Sequence, residues 1–303
     1  GADMAASAAG LLREIVANPN AYGFTNITGT ACQPQITANS LTCNPTSYVT
    51  PDAPNTHLFA DGVHPTSRAH QILSQYAISV LEAPRQIAVL PHATAVVGRA
   101  RADRVSGHLA GKPAGDGMRW WVDARADFQR YDSGNNYDGV GPTLTGGVDW
   151  TSGNFVYGGF AGFGHNAYDF GLRGGDFDQT EATLGGFAGW YGEHAWVNGQ
   201  LSYTFASYDV NRDVVLGPVT RTHSGSPDGN NLSFGVNAGY NLGGEALTHG
   251  PVASVLIQRI DVDGYAEDQP TLSTSLAYPD QTFDSMITSP GWQASSEIND
   301  HLA

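Results

Sequence analysis

The sequence has few charged residues, and basic residues are especially scarce. Only 14% of its residues are charged, with 14 Lys and Arg against 29 Asp and Glu, and the formal net charge is −15. This balance argues against a nucleic-acid partner, because phosphate binding needs clustered basic side chains. The 38 glycines, 13 Tyr, 12 Phe and 6 Trp are typical of many strands and tight turns, so a helical bundle is disfavoured.

Two kinds of apolar segment are also missing. No run of about 18 apolar residues, the minimum for a membrane helix, is present, so any membrane span is expected to consist of strands. The N-terminus enters a helical pattern directly, without the basic and apolar regions of a secretory signal peptide. Because an exported protein should carry such a signal, the natural start of the protein is expected to lie before residue 1.

Cysteine is limited to Cys32 and Cys43, which lie in a stretch rich in Thr, Asn, Pro and Gln. In an oxidising compartment the pair would close this loop as a disulfide, whereas in a cytosolic protein it would remain as two free thiols. Two cysteines cannot form a structural zinc site alone, and His57 is the nearest additional ligand. No metal site and no cofactor is expected.

Helical periodicity is confined to the first third of the chain. Residues 3–17 have apolar side chains at helical spacing, and residues 20–57 are predicted to form a long loop with short extended pieces. A second amphipathic helix is predicted to begin at Thr66 or Ser67 and to end at Pro84.

A third helical stretch, residues 85–111, is predicted to be interrupted at Pro91. It contains three clustered arginines, Arg99, Arg101 and Arg104. Residues 84–112 carry five basic groups and one acidic group, whereas residues 113–303 carry seven basic and 23 acidic groups. A short basic segment therefore precedes a long acidic one.

From Met118 onward the apolar period changes from 3.6 to 2, which predicts strands. About eight strands of roughly 10 to 15 residues are expected, a length that suits tilted membrane strands. They are predicted near residues 118–131, 141–151, 154–168, 177–191, 197–207, 232–242, 251–262 and 282–297.

An alternating strand fits either a soluble sheet with an apolar core or a membrane barrel with lipid outside and polar residues inside. The barrel is favoured because aromatic residues cluster near the strand ends and because the basic helix could thread an acidic lumen. The aromatic residues in question are Trp120, Trp121, Tyr131, Trp150, Tyr157, Trp190, Tyr191, Trp196 and Tyr208.

Asp61 and His64 are three residues apart in a loop constrained by Gly and Pro. A nucleophilic serine needs a histidine base, and the histidine needs a carboxylate that fixes its tautomer. One short segment could therefore supply two members of a catalytic triad. The alternative is a helix-entry loop in which Asp61 accepts backbone hydrogen bonds and His64 is a surface histidine.

The segment Leu58–Thr66, with Ala69 and His70 after it, closely resembles the last sequence block of the GDSL (SGNH) hydrolases. Followed by a basic helix and a strand-rich region, it resembles the autotransporter esterases and lipases of Gram-negative bacteria. The resemblance implies that His64 is the general base and Asp61 its orienting acid. His57 and His70 have no matching role.

This resemblance also implies an organisation. Residues 1–83 would be the C-terminal part of an α/β hydrolase passenger, here mostly helix and loop, and residues 84–116 a linker helix through the lumen. Residues 117–303 would form an antiparallel transmembrane β-barrel in the outer membrane, with the passenger facing the cell exterior. The implied partners are a lipid or small ester substrate, outer-membrane lipid and the barrel-assembly machinery.

The sequence departs from the family pattern in two places. No Gly-Asp-Ser block is present, so the nucleophile and the oxyanion-hole residues are missing, and the fragment alone is expected to be inactive. Residues 299–303 lack the terminal strand and final aromatic residue that usually close such barrels. A truncated barrel is therefore expected. A transport or adhesion barrel with a non-catalytic N-terminal plug is the other interpretation.

Overall fold

Two parts of different character follow one another along the chain. The computed structural model describes residues 2–35, 37–112, 115–172, 174–244 and 247–296, with the side chains of the first helix described from residue 8. The first part contains α1 (Ala2–Ala17), β1 (Asn26–Thr30), α2 (Ala53–Thr56), β2 (His57–Phe59) and α3 (Ser67–Ile87), and α4 (Val89–His108) follows. The side chain of Met4 and the chain end at 297–303 lie outside the described residues.

Helix α3 begins as the sequence predicts but ends later. Thr66 caps its N-terminus, where the Thr66 hydroxyl accepts a hydrogen bond from the backbone N–H of Ala69. The predicted end at Pro84 is wrong, because Pro84 lies inside the helix. A proline there costs one backbone hydrogen bond, but Ala83 and Ile87 on either side are fully buried, and their packing keeps this turn helical.

The predicted interruption of the next helix at Pro91 is also wrong. Pro91 lies in the first turn of α4, where a backbone N–H has no intrahelical partner and proline is tolerated. The chain breaks instead at Ala88, between α3 and α4. Throughout the described residues, no helix combines the length and the apolar character that a membrane span requires.

The second part is one large antiparallel sheet. Its eight principal strands are hydrogen-bonded in the order β3-β4-β5-β6-β7-β9-β11-β14, while β8 pairs with β7 and β10 with β11. The strands are β3 (Gly117–Tyr131), β4 (Tyr137–Ser152), β5 (Phe155–Phe170), β6 (Gly175–Tyr191), β7 (Ala195–Leu216), β8 (Val219–Gly225), β9 (Asp228–Tyr240), β10 (Leu242–Gly244), β11 (Leu247–Val262) and β14 (Gln281–Ser295), with a small pair, β12 (Tyr265–Ala266) and β13 (Ala277–Tyr278), between β11 and β14. Among the described residues, no pairing joins the edge strands β3 and β14.

The sheet curves around α4, which contacts strands from one edge to the other. Arg104 of the helix bonds Asp123 on the edge strand β3, and His92 packs against Phe283 on the opposite edge strand β14. Polar side chains on the face toward the helix are buried, whereas large apolar side chains on the other face are exposed. The exposed set includes Trp120, Val122, Phe128, Phe163, Leu184, Leu201, Phe234 and Met286. The outer face of the sheet is therefore apolar, whereas its inner face combines buried polar side chains with two apolar clusters that pack against α4.

The expected aromatic girdle is only half present, because neighbouring side chains on a strand point to opposite faces. Four of the aromatic residues at strand ends are exposed on the apolar face: Trp120, Trp150, Tyr157 and Trp190. The others, Trp121, Tyr131, Tyr191, Trp196 and Tyr208, belong to the helix-facing side. Trp121, for example, stacks on His108 of α4.

Candidate functional site

The loop between β2 and α3 is held at both ends by backbone hydrogen bonds. The N–H of Ala60 donates to the carbonyl of His64 at 2.8 Å, and the N–H of Thr66 donates to the carbonyl of Leu58 at 3.1 Å. Phe59 and Pro65 form an isolated β-bridge across the same loop. The sequence motif therefore forms a tight reversal with a fixed backbone.

Asp61 lies inside this reversal and is almost completely buried. Its carboxylate accepts hydrogen bonds from three backbone N–H groups, those of His64 at 2.7 Å, Val63 at 2.9 Å and Ser40 at 2.8 Å. The backbone N–H of His64, followed by that of Val63, holds the pKa of Asp61 well below its usual range, since both stabilise the ionised form. Asp61 is thus a fixed carboxylate at neutral pH.

His64 contacts this carboxylate through its side chain. Its Nδ1 lies 2.7 Å from Oδ2 of Asp61, and 59% of the His64 side chain is exposed. An Nδ1–H that donates to Asp61 leaves Nε2 as the basic nitrogen. No described residue forms a hydrogen bond with that Nε2. The structure thus brings the two predicted site residues together, with one imidazole nitrogen oriented and the other open.

Ser40 is part of this arrangement, although the sequence motif does not indicate it. Besides its backbone bond to Asp61, its hydroxyl lies 3.2 Å from Nδ1 of His64. A nucleophile must instead meet Nε2, the nitrogen that does not face the acid. Ser40 therefore supports Asp61 and does not occupy the position of a triad serine.

The loop that carries Ser40 is closed by a disulfide between Cys32 and Cys43, the first of the two alternatives that the sequence leaves open. In the chain-entropy view, closing a loop of this length stabilises the folded state by roughly 3 kcal/mol. The structural effect of the disulfide is local, because the bridge fixes the segment that donates a backbone N–H to Asp61.

The neighbouring histidines do not join the site. His57 is buried in β2, where burial lowers the pKa of its imidazole, and its carbonyl accepts the hydroxyl of Thr66 at 2.7 Å. His70 is exposed on α3, one turn beyond the cap. An apolar groove of about 320 Å³ lies beside the loop and is lined by residues that include Leu12, Val63 and Pro65.

A family model described as the autotransporter beta-domain matches residues 120–302. Two curated relatives match along 93% of this chain: Lipase 1 of Photorhabdus luminescens at 30% identity and Esterase EstA of Pseudomonas aeruginosa at 29%. The alignments cover 42% and 46% of those proteins, so the chain spans less than half the length of the curated relatives it matches.

A solved structure has a related fold. The translocator domain of the autotransporter NalP from Neisseria meningitidis superposes with a TM-score of 0.54 at 15% identity, over 70% of this chain and 73% of that one. At this identity the likeness concerns the fold alone.

Proposed function

This chain belongs to the autotransporter β-domain family of outer-membrane proteins, whose passenger faces the cell exterior, and we propose that it is the anchored part of a carboxylic-ester hydrolase. The bond between His64 and Asp61 carries the proposal, since a carboxylate that holds Nδ1 of a histidine is the arrangement that the acid and base of a serine-hydrolase triad require. The names Lipase 1 and Esterase EstA of the two relatives give it further support.

In this mechanism His64 accepts a proton from a serine hydroxyl at Nε2 while the serine oxygen attacks the ester carbonyl. His64 then gives the proton to the leaving alcohol, which leaves an acyl-enzyme, and it activates the water that releases the acid. Asp61 holds the imidazole in the required tautomer and stabilises its cationic form. The substrate would be a lipid or a small ester, and the apolar groove beside Val63 and Pro65 is a suitable surface for its acyl part.

The serine and the oxyanion donors would come from a part of the protein that this chain does not contain. No Gly-Asp-Ser segment is present in the sequence, and Ser40 meets the wrong imidazole nitrogen. Residues 1–83 would then be the C-terminal piece of the hydrolase domain, and the chain alone would be inactive.

The strand region would close into a barrel around α4 once further strands join β3 to β14. Residues 84–116 would be the linker through that barrel, and residues 117–303 its wall. The exposed apolar face of the sheet would contact outer-membrane lipid. Folding of such a wall would involve the barrel-assembly machinery.

A second candidate function is a non-catalytic transport or adhesion barrel in which residues 1–83 are a structural plug. The three backbone N–H groups bound to Asp61 favour it, because a purely structural loop would use the carboxylate in the same way. In that case Asp61 and His64 would take no part in ester hydrolysis.

Two experiments test the hydrolase proposal. The coding sequence upstream of residue 1 should contain a Gly-Asp-Ser block, and a complete upstream sequence without one would overturn the proposal. Purified residues 1–303 should hydrolyse a short-chain nitrophenyl ester no faster than buffer does. Turnover by this fragment that disappears in His64→Ala would contradict the claim that the nucleophile lies elsewhere.

A further inference from the structure

One hairpin of the sheet extends beyond its neighbours. Strand β7 pairs with β6 as far as Arg212 and with β9 as far as Ser207, but it continues to Leu216 and pairs there with β8 alone. At about 3.3 Å per residue, the segment from Asp213 to Leu216 projects roughly 13 Å beyond the last β6 pair. We call residues 210–225 the outer hairpin.

The tip of the outer hairpin is part of an apolar core that belongs mostly to the N-terminal part of the chain. Val214 and Leu216 are 1% and 0% exposed, whereas Val215 between them is 48% exposed. The two buried side chains lie in one cluster with eight buried residues of the N-terminal part: Leu11, Ile15, Tyr22, Phe24, Leu58, Ala69, Ile72 and Tyr76. Two of the ten buried residues in this core thus come from the strand region.

The turn of the outer hairpin fits closely against α3. Gly217 has a φ of +63°, a left-handed conformation that favours glycine, and a Cβ at this position would lie 3.1 Å from the Ile72 side chain. The N–H of Gly217 also donates to the side-chain oxygen of Gln75 at 2.6 Å. This contact is therefore specific in shape as well as apolar.

A polar network surrounds the core on the side of β8. The guanidinium of Arg221 lies 2.5 Å from the carboxylate of Glu14 in α1 and donates to the hydroxyl of Tyr22. Glu14 also accepts the backbone N–H of Ser273, and Arg221 donates to the hydroxyl of Thr274 at 3.0 Å. The side chains of Arg221 and Glu14 are both largely buried, so removing one of them would leave the other charge unpaired and would destabilise this contact.

The same core reaches both sides of the Asp61–His64 loop. Leu58 precedes the loop, and Ile72 and Tyr76 lie in the helix that follows it. Without the outer hairpin, apolar surface on these elements would be exposed to water. A unit as small as residues 8–83 is only marginally stable, so this exposure would favour its unfolding.

We propose that the outer hairpin is a folding template for residues 8–83: this segment attains its stable packed structure only when docked on Val214, Leu216 and Arg221. The proposal goes beyond ester hydrolysis and does not depend on it, since docking can be measured without a substrate. Docking on the outer hairpin also sets the orientation of the Asp61–His64 loop relative to the sheet.

The test compares three variants of the full chain, folded in detergent micelles: Leu216→Ser, Arg221→Ala and the matched control Val215→Ser on the opposite face of the same strand. Cleavage within residues 8–83 by a protease is timed, and resistance of the sheet to SDS is measured in the same samples. Cleavage follows the population of the opened segment. We expect it to be at least about tenfold faster in Leu216→Ser, about threefold faster in Arg221→Ala and unchanged in Val215→Ser, with SDS resistance retained.

Equal cleavage rates in Leu216→Ser and Val215→Ser, with the sheet intact in both, would overturn the proposal. Should Leu216→Ser lose the SDS-resistant sheet, Arg221→Ala decides alone. Among the described residues, the Arg221 side chain bonds Glu14, Tyr22 and Thr274, and none of these lies in a strand of the sheet. An unchanged cleavage rate in Arg221→Ala would then overturn it.

Discussion

Arg101 of α4 and Glu181 of β6 form an ion pair in the centre of the sheet, with 2.6 Å between Nη2 and Oε1 and side chains that are 2% and 0% exposed. Arg101 also donates to the hydroxyls of Thr183 and Thr145, so each of its nitrogens has a partner. The pair fixes both the depth and the rotation of the helix inside the sheet.

Glu181→Gln should destabilise the folded chain by about 3–5 kcal/mol, because it leaves the charge of Arg101 buried without a counter-ion. Thermal or urea unfolding in micelles measures this loss. The matched control is Asp123→Asn, whose partner Arg104 is more than half exposed, and it should cost only about 0–1 kcal/mol. Equal losses in the two variants would show that the buried pair does not fix the helix.

Leu184→Arg tests the apolar outer face of the sheet. Leu184 lies near the middle of β6 and is 64% exposed, so in a membrane its side chain would face lipid. An arginine there should destabilise the folded chain in a bilayer by about 2–4 kcal/mol. Leu41→Arg, in a loop of the N-terminal part where the leucine is 91% exposed, should have almost no effect. Urea titration of vesicle-embedded protein measures both, and a harmless Leu184→Arg would argue against lipid contact.

Asp61→Asn should change how the N-terminal part responds to acid. Because the pKa of Asp61 is depressed in the folded state, its ionised form contributes stability that is fully present above the ordinary Asp pKa of about 4. That contribution is lost as the pH falls from there through the lower folded pKa. The stability difference between the unchanged chain and Asp61→Asn should therefore be constant at neutral pH and shrink below about pH 4.

Protease protection of residues 8–83 at a series of pH values measures this difference. A difference that already decreases between about pH 7 and pH 5 would mean that another group, and not Asp61, provides the stability.

The strands and the Asp61–His64 pair could be predicted from the sequence because both are local patterns. Alternation with a period of 2 is a property of each strand alone, and a spacing of three in a constrained loop brings two side chains together directly. Ser40 could not be predicted as their partner, since it is 21 residues before Asp61 and only the folded, disulfide-closed loop places it there.

Tertiary packing accounts for the predictions that are wrong. Pro84 remains within a helix because buried neighbours outweigh one lost hydrogen bond, and Pro91 is harmless in a first turn. Strand β8 is not among the predicted strands. The outer hairpin that contains it is held by contacts with α1 and α3, some 140 to 210 residues away in the sequence, which a local pattern does not indicate.

Ester hydrolysis by the full-length protein carrying His64→Ala decides whether the Asp61–His64 pair takes part in catalysis. The matched control is His70→Ala, an exposed histidine on the next helix with no contact to Asp61. We expect His64→Ala to lower kcat by several orders of magnitude, since it removes the base of a triad, while His70→Ala leaves kcat unchanged. Hydrolysis by His64→Ala at the rate of the unchanged protein would contradict this expectation.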